Sequence, residues 1–339
     1  MARQEGASPL DVVCVGESLV DFVPAEPGQR VRDVTAWKPC IGGSLANVSV
    51  GVARLGGRSG YVGVVGEDEF GHFLRERLAA EGVDVSHMRQ TAEGRTGLVF
   101  VSIDARGERS FTYFRTRSAE FLLSERDVDP AFLEQARVVH CGTNSLKLPE
   151  ARAAMLRTLE VARGAGRIVS CDPNLRLHAW EDPEVLRELL RHLLPGCTVV
   201  KLSEEEVAFA TGRTDPEEAL RYLAGQGVKL PVVTRGEAGA VFLWRDEVVR
   251  VPAPRARVVD TTGAGDGFTS AFLLGLSRRY ADAPALARAT REDLEALATF
   301  GCVVGSRVVE HVGAVAGLPF RDEVAPLLPP WLRTEAPFR

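Results

Sequence analysis

The chain has 339 residues, 45% of them hydrophobic and 26% charged, a globular mix that excludes a disordered, collagenous or heptad-repeat protein. Its formal net charge of −5, with no basic run, speaks against nucleic-acid binding, and no apolar run approaches the ~20 residues that span a bilayer. Pro9 and Asp11 stand where a secretory signal would need an apolar stretch, so the expectation is a soluble cytoplasmic protein with no nucleic-acid or membrane partner.

An apolar, β-branched run at 11–16 opens the chain as a strand. Residues 19–41 carry no helical period and hold Pro24, Pro27, Gly28 and Pro39. A helical pattern follows at 44–55, a strand at 60–65 and a helix at 68–81. Residues 96–115 alternate with a period of two around Asp104-Ala105-Arg106-Gly107, which predicts a β-hairpin. Beyond it, strands at 137–141, 167–171, 197–201, 231–234 and 240–243 alternate with helices at 149–164, 183–193, 203–211 and 215–226. Two helices, 264–280 and 291–305, follow. The strand runs are nearly all apolar, as in a parallel sheet covered on both faces, so the expected fold is a doubly wound α/β sheet. The pieces 19–41 and 96–115 break the alternation and read as a small inserted β-sheet. Such a sheet serves as a lid, or as a dimer surface seeking a partner. The expected organisation is one α/β domain over 10–328, with a C-terminal tail at 329–339 that includes Pro329, Pro330 and Trp331.

The six cysteines (Cys14, Cys40, Cys141, Cys171, Cys197 and Cys302) include no C-x-x-C pair. A cysteine-based zinc site is therefore not expected, and each reads first as a small buried hydrophobe.

Chemistry concentrates in two places. In VVDTTGAGDGFTSAFLLG, Gly263, Gly265 and Gly267 open a segment with apolar residues at helical spacing. Glycines before a helix let the backbone approach an anion, and the helix start supplies N–H groups and a positive dipole end. Asp266 in that first turn is either a cap or a base for an attacking hydroxyl, the one proton acceptor that phosphoryl transfer needs. In IGGSLANVSVGVARLG, Gly42-Gly43 precedes a helix carrying Asn47, whose amide suits sugar hydroxyls or caps the helix. Asp21, after the first strand, is a turn acid or an acceptor for a vicinal diol. The usual phosphate loop is absent, since none of the four lysines follows a glycine, and no G-x-G-x-x-G follows a strand.

Gly42-Gly43 with Asn47, and Asp260-Thr261-Thr262-Gly263-Ala264-Gly265-Asp266, resemble the two signatures of the PfkB-type carbohydrate kinases, the ribokinase and fructokinase family. The likeness extends over about residues 10–320. It implies an ATP- and Mg²⁺-dependent sugar kinase with a ribokinase-like fold. Asp266 would be the base, and the N–H groups of Gly263, Ala264, Gly265 and Asp266 would form the anion hole. Asp21, Gly42, Gly43 and Asn47 would bind the sugar, with Arg115 and Arg176 as further contacts or structural ion pairs. Thr234, Gly236 and Gly239 match the nucleotide loop. Glu204 would hold Mg²⁺ through water, or else be a solvated acid at a helix start. Lys201 stands where the family often has Asn and could neutralise phosphate charge. Asp260, Thr262, Gly313 and Gly317 match a K⁺ site. GESLVDFVP and GERSFTYFR resemble the fructokinase branch, so fructose is the expected substrate, with 2-keto-3-deoxygluconate, ribose or a nucleoside as alternatives and a catalytically silent sugar-binding module as the remote one. A homodimer through the lid is expected.

Overall fold

The protein is described here by a computed structural model covering residues 9–26, 28–103 and 109–329. Thirteen strands fall into two sheets. In chain order they are β1 (Leu10–Val15), β2 (Leu19–Pro24), β3 (Trp37–Gly42), β4 (Ser59–Gly66), β5 (Val83–Thr91), β6 (Leu98–Ile103), β7 (Arg109–Phe114), β8 (Ala136–Cys141), β9 (Ile168–Cys171), β10 (Val199–Ser203), β11 (Leu230–Thr234), β12 (Ala240–Trp244) and β13 (Glu247–Val251). The large sheet has the order β13-β12-β11-β10-β9-β8-β1-β4-β5. From β11 to β5 every pairing is parallel, while β12 and β13 add antiparallel at one edge.

After β1 the chain builds outward through β4 and β5, then returns to β8 on the other side and builds the opposite way. The reversal makes a switch point between β1 and β8, where the carboxyl ends of the strands open a crevice. Two hydrophobic cores fill the two faces of the sheet. One is packed by the helices Ser44–Arg54, Glu69–Ala80, Ala264–Arg279 and Arg291–Val308, the other by Pro149–Gly164, Pro183–Leu193 and Pro216–Gly225. Both faces are therefore covered, which is why β1 and β4 are buried along their whole length and mostly apolar, with Asp11 and Ser59 the polar residues near their starts. No helix among the described residues is long and apolar enough to cross a membrane.

The second sheet, β3-β2-β6-β7, is built from the two segments that broke the alternation. Leu19, Val99 and Val101 form a small cluster of their own on its inner face. On the outer face Phe22 stacks on Phe100, which meets Phe114 and Trp37 edge-on. The turn expected at Asp104–Gly107 lies outside the described residues, as does the tail beyond Pro329.

Every helix and strand read from the sequence is present, most within one or two residues of the expected ends. The strand expected at 197–201 starts at Val199, because Cys197 closes the short turn Leu194–Gly196. Strands β5 and β13 were not expected. Both are edge strands, and the polar residues along them (Asp84, Ser86, Arg89; Glu247, Arg250), which fall on both faces, hide the apolar period.

Asp68 ties the lid to the core. Its carboxylate accepts the Gly71 N–H at 2.9 Å, capping the Glu69–Ala80 helix, and also the Thr96 N–H at 2.9 Å and hydroxyl at 2.7 Å. Thr96 leads directly into β6. Burial works against this charge, but the bonds from Thr96 and Gly71 prevail and hold the carboxyl below its usual range. The anchor is thus present above the unfolded-state value of about 3.9 and fades as pH falls through the lower folded-state value. Asp68→Ala is expected to cost about 1–2 kcal/mol at pH 7 in a denaturant titration, with the gap to wild type narrowing as the pH falls below the unfolded-state value of about 3.9.

Candidate active site

Two helix amino ends converge on one carboxylate. The Ala264–Arg279 helix is buried over most of its length, and its first turn faces the crevice. Gly263 caps it at φ +82°, and a Cβ there would lie 2.5 Å from that of Ala314, so neither the backbone nor the space admits another residue. Asp266 in that turn is 7% exposed. It accepts the Ser44 hydroxyl at 2.6 Å on Oδ1 and the Asn47 amide at 2.8 Å on Oδ2. Ser44 and Asn47 sit in the first turn of the Ser44–Arg54 helix, whose cap Gly43 has φ +93°. Burial raises the Asp266 pKa above its ordinary value, and the two hydrogen bonds only partly oppose it.

Asn47 therefore serves Asp266 with its amide, and its buried carbonyl Oδ1 has no protein partner. Of the expected anion-hole donors, the Ala264 N–H already makes a long turn bond to Thr261 O at 3.3 Å.

A cation stands across from this turn. Lys201, 7% exposed at the centre of β10, donates to Asp172 at 2.8 Å. Its Nζ lies 2.9 Å from where a Cβ on Gly265 would be, so Gly265 is the residue that admits it to the helix start. Burial pulls the Lys201 pKa down, but Asp172 and Glu206 more than reverse this, so the ammonium is held charged.

One cavity of about 860 Å³ joins these groups. Asp21, Gly43 and Asn47 line it together with Arg115 and Arg176, as do Lys201, Glu204, Thr234, Gly236 and Gly263 through Asp266. The inner face of the lid closes one side with Val99, Val101, Phe111 and Tyr113. Gly42 is not in the wall. A Cβ there would strike the Asp21 carboxylate at 2.5 Å, so its lack of a side chain makes room for Asp21. Gly239 is outside too. At φ +89°, with a Cβ position 2.0 Å from Val251 O, it is required by the packing of the turn into β12 against the end of β13.

The two arginines differ. Arg115 is 9% exposed at its side chain and bonds Glu120 at 2.8 Å and Asn144 O at 3.3 Å, so its charge is already matched. Arg176 is exposed and reaches only carbonyls, including Leu175 O at 3.0 Å. Glu204, at the mouth, pairs with Arg235 at 3.0 Å. Glu206, beside it, instead turns inward to bond the Ser203 N–H at 2.7 Å and the Leu175 N–H.

In the expected cation loop, Asp260 takes the Thr262 N–H and hydroxyl on Oδ1, at 3.0 and 2.7 Å, and the Gly313 N–H on Oδ2 at 2.9 Å. These three residues are adjacent. Gly317 is not with them in the pocket wall. A Cβ on it would meet Val308 O at 2.4 Å, so it is a close-packing glycine.

Sequence reasoning passed over Glu17, Ser44, Asn144, Asp172 and Glu206. Each follows a strand or opens a helix at the carboxyl edge of the sheet, and that position was the available signal. Glu17 is 2% exposed, and burial, partly offset by Arg115, pushes its carboxyl up to about 7. Asp21, half-buried, moves the same way for the same reason. A carboxyl that holds its proton more tightly when folded loses stability as pH rises from its unfolded value, about 4.3, through its folded one. The unliganded Glu17→Gln protein is therefore expected to melt higher than wild type at pH 8 and nearly level with it at pH 5. Melting scans across that range check this, and parallel curves would refute it.

The match to the pfkB family carbohydrate kinase model spans residues 9–321. The chain is 39% identical over 320 residues to "Probable fructokinase-7" of Arabidopsis thaliana, covering 94% of this chain and 92% of that one. The structure of a fructokinase with bound ATP from Xylella fastidiosa superposes with a TM-score of 0.86 at 32% identity, over 94% of this chain and 98% of that one. A fructokinase from Vibrio cholerae O395, bound to fructose, ADP and calcium, gives 0.82 at 31% identity, over 94% and 99%. A buried carboxylate at a glycine-capped helix start, with a buried ammonium beside it and a cavity with room for a sugar and a nucleotide, is what such a kinase requires, and the chain belongs to the pfkB family of carbohydrate kinases, as an ATP-dependent kinase of a small sugar.

Proposed function

We propose that the sugar is fructose. The observation that carries this choice is the charge of the sugar side of the cavity. Glu17 and Asp21 are carboxyls, and the one buried cation there, Arg115, is already paired with Glu120. A neutral polyol satisfies such a wall. A sugar acid would bring a further negative charge with only the exposed Arg176 to meet it, which disfavours 2-keto-3-deoxygluconate. The fructokinase names of the relatives and the fructose bound to the Vibrio cholerae enzyme support the same reading.

In this reading Asp21 and the free carbonyl of Asn47 accept hydroxyls of the sugar and orient one of them toward Asp266. Asp266 takes its proton as the new bond from the sugar oxygen to the γ-phosphorus of ATP forms and the bond to the bridging oxygen breaks, releasing ADP. The helix start at Gly263–Asp266 meets the growing negative charge with its N–H groups and dipole, and Lys201 adds a full positive charge beside it. Thr234 and Gly236 line the nucleotide end. The carboxylate oxygens of Glu204 at the mouth suit Mg²⁺, a hard ion that keeps most of its waters and, when bound, neutralises phosphate charge. Asp260, Thr262 and Gly313 are the residues beside which K⁺ would sit; Gly317 would contribute only its position in the loop. Phe111 and Tyr113 on the lid shield the site from water, which limits wasteful ATP hydrolysis. The outer aromatic face, with Phe114 60% exposed, is where a second copy would pair through the lid.

With Mg²⁺ and K⁺ present, ADP release is expected to be fastest with fructose among fructose, ribose, 2-keto-3-deoxygluconate, tagatose and adenosine. Asp266→Asn is expected to lower kcat by about 10²–10⁴. Faster turnover of another sugar would discard fructose and keep the mechanism. An Asp266→Asn enzyme with normal kcat would discard the base.

A further inference from the structure

Five of the six cysteines are buried, and three of them meet. Cys141 ends β8 and Cys171 ends β9, directly paired in register across the parallel strands. Cys197 lies two residues before β10, at the end of the turn Leu194–Gly196. All three side chains enter the same core, on the face packed by the Pro149–Gly164 helix, and none is more than 3% exposed. Their Sγ atoms lie within 4.8 Å of one another.

We propose that Cys141, Cys171 and Cys197 form a three-sulfur site for a soft monovalent metal ion, Cu(I). Three sulfurs each ~2.3 Å from a central ion are about 4 Å apart, so the observed spacing needs only small side-chain rotations to close on one. Thiolates select soft ions such as Cu(I) and Zn²⁺. Zn²⁺ in closed sites takes four ligands, and among the described residues no fourth His, Cys, Asp or Glu atom joins this group. His140, next in sequence to Cys141, alternates to the opposite face of the sheet, where its Nδ1 meets the Ser170 hydroxyl at 3.1 Å. Three-coordinate sulfur with nothing else suits Cu(I). As the Cu–S bonds form, the thiol protons leave to solvent. The guanidinium of Arg163, 3.9 Å from where a Cβ on Gly196 would be, brings positive charge next to Cys197 to offset the thiolates.

The location gives the site a consequence. Cys171 immediately precedes Asp172, and the Asp172 N–H donates to Cys141 O at 3.0 Å. An ion held by the three sulfurs sits directly behind the residue that holds Lys201.

The test is an anaerobic titration of the fully reduced, full-length protein into the coloured complex of Cu(I) with bicinchoninate. Wild type, Cys14→Ala, Cys40→Ala and Cys302→Ala are each expected to withdraw one equivalent of copper, and Cys141→Ala, Cys171→Ala and Cys197→Ala none. Withdrawal of no copper by wild type would overturn the proposal. So would undiminished uptake by a triad variant whose ATP-dependent thermal shift shows it to be folded, or loss of uptake in Cys40→Ala. If the triad variants fail to fold, X-ray absorption at the copper edge of the loaded wild type decides: three sulfur neighbours support the site, and fewer sulfurs or nitrogen and oxygen neighbours overturn it.

Discussion

The carboxylate of Asp266, held between Ser44 and Asn47, is the constraint around which the site is arranged. It joins the first turns of two helices that are far apart in the chain. A buried carboxyl left alone would keep its proton and be useless as a base at neutral pH. Two charge-assisted hydrogen bonds and a facing ammonium pull it back toward ionisation without taking it to the ordinary surface value. The same bonds fix the approach of the two helix starts, so the position of the base and the position of the anion-binding backbone are set by one contact.

Charge in the cavity is divided by partner. On the phosphate side, Lys201 is buried, paired with Asp172 and kept charged, and Gly265 opens the space through which it reaches the helix start. On the sugar side, Arg115 is neutralised by Glu120, and the carboxyls of Glu17 and Asp21 are pushed toward neutrality by burial. A cavity of this kind receives an uncharged polyol at one end and a polyanion at the other. The lid belongs to both tasks. Its inner face supplies Asp21 and the apolar wall, and Asp68 binds its root to the end of β4, so the sheet hangs from the same edge that carries the site.

Much of this was legible in the residues. The glycine-rich helix start marked Asp266, and the apolar runs marked the central strands, because burial on both faces leaves few polar residues to blur them. Edge strands β5 and β13 were hidden by the polar residues spread over both of their faces. Of the lid strands, β6 and β7 showed as a period-two hairpin, while β2 and β3 showed only as a break in the alternation. The individual glycines carry a second constraint that the residues alone did not show: Gly42, Gly239 and Gly317 match ligand-binding positions, and in the structure a neighbour's atoms occupy the Cβ position of each. The partners of the base were equally invisible as partners. Ser44 carries no local signal of its role, and only the folded juxtaposition of two helix starts reveals that it bonds Asp266. Convergence of Cys141, Cys171 and Cys197 has no local signal at all, since their spacing resembles no metal motif and the sheet alone brings them together.

If the Ser44 and Asn47 bonds set the charge of Asp266, the acid limb of the pH–rate profile must report them. The direct measurement is kcat/KM against pH for wild type and Ser44→Ala with the same sugar. Loss of the hydroxyl removes a bond that favours the ionised form, so the acid limb of Ser44→Ala is expected at higher pH than that of wild type, with activity recovered in part on the alkaline side. An unchanged limb with a uniform drop in rate would show that Ser44 only packs the site, and would contradict the account.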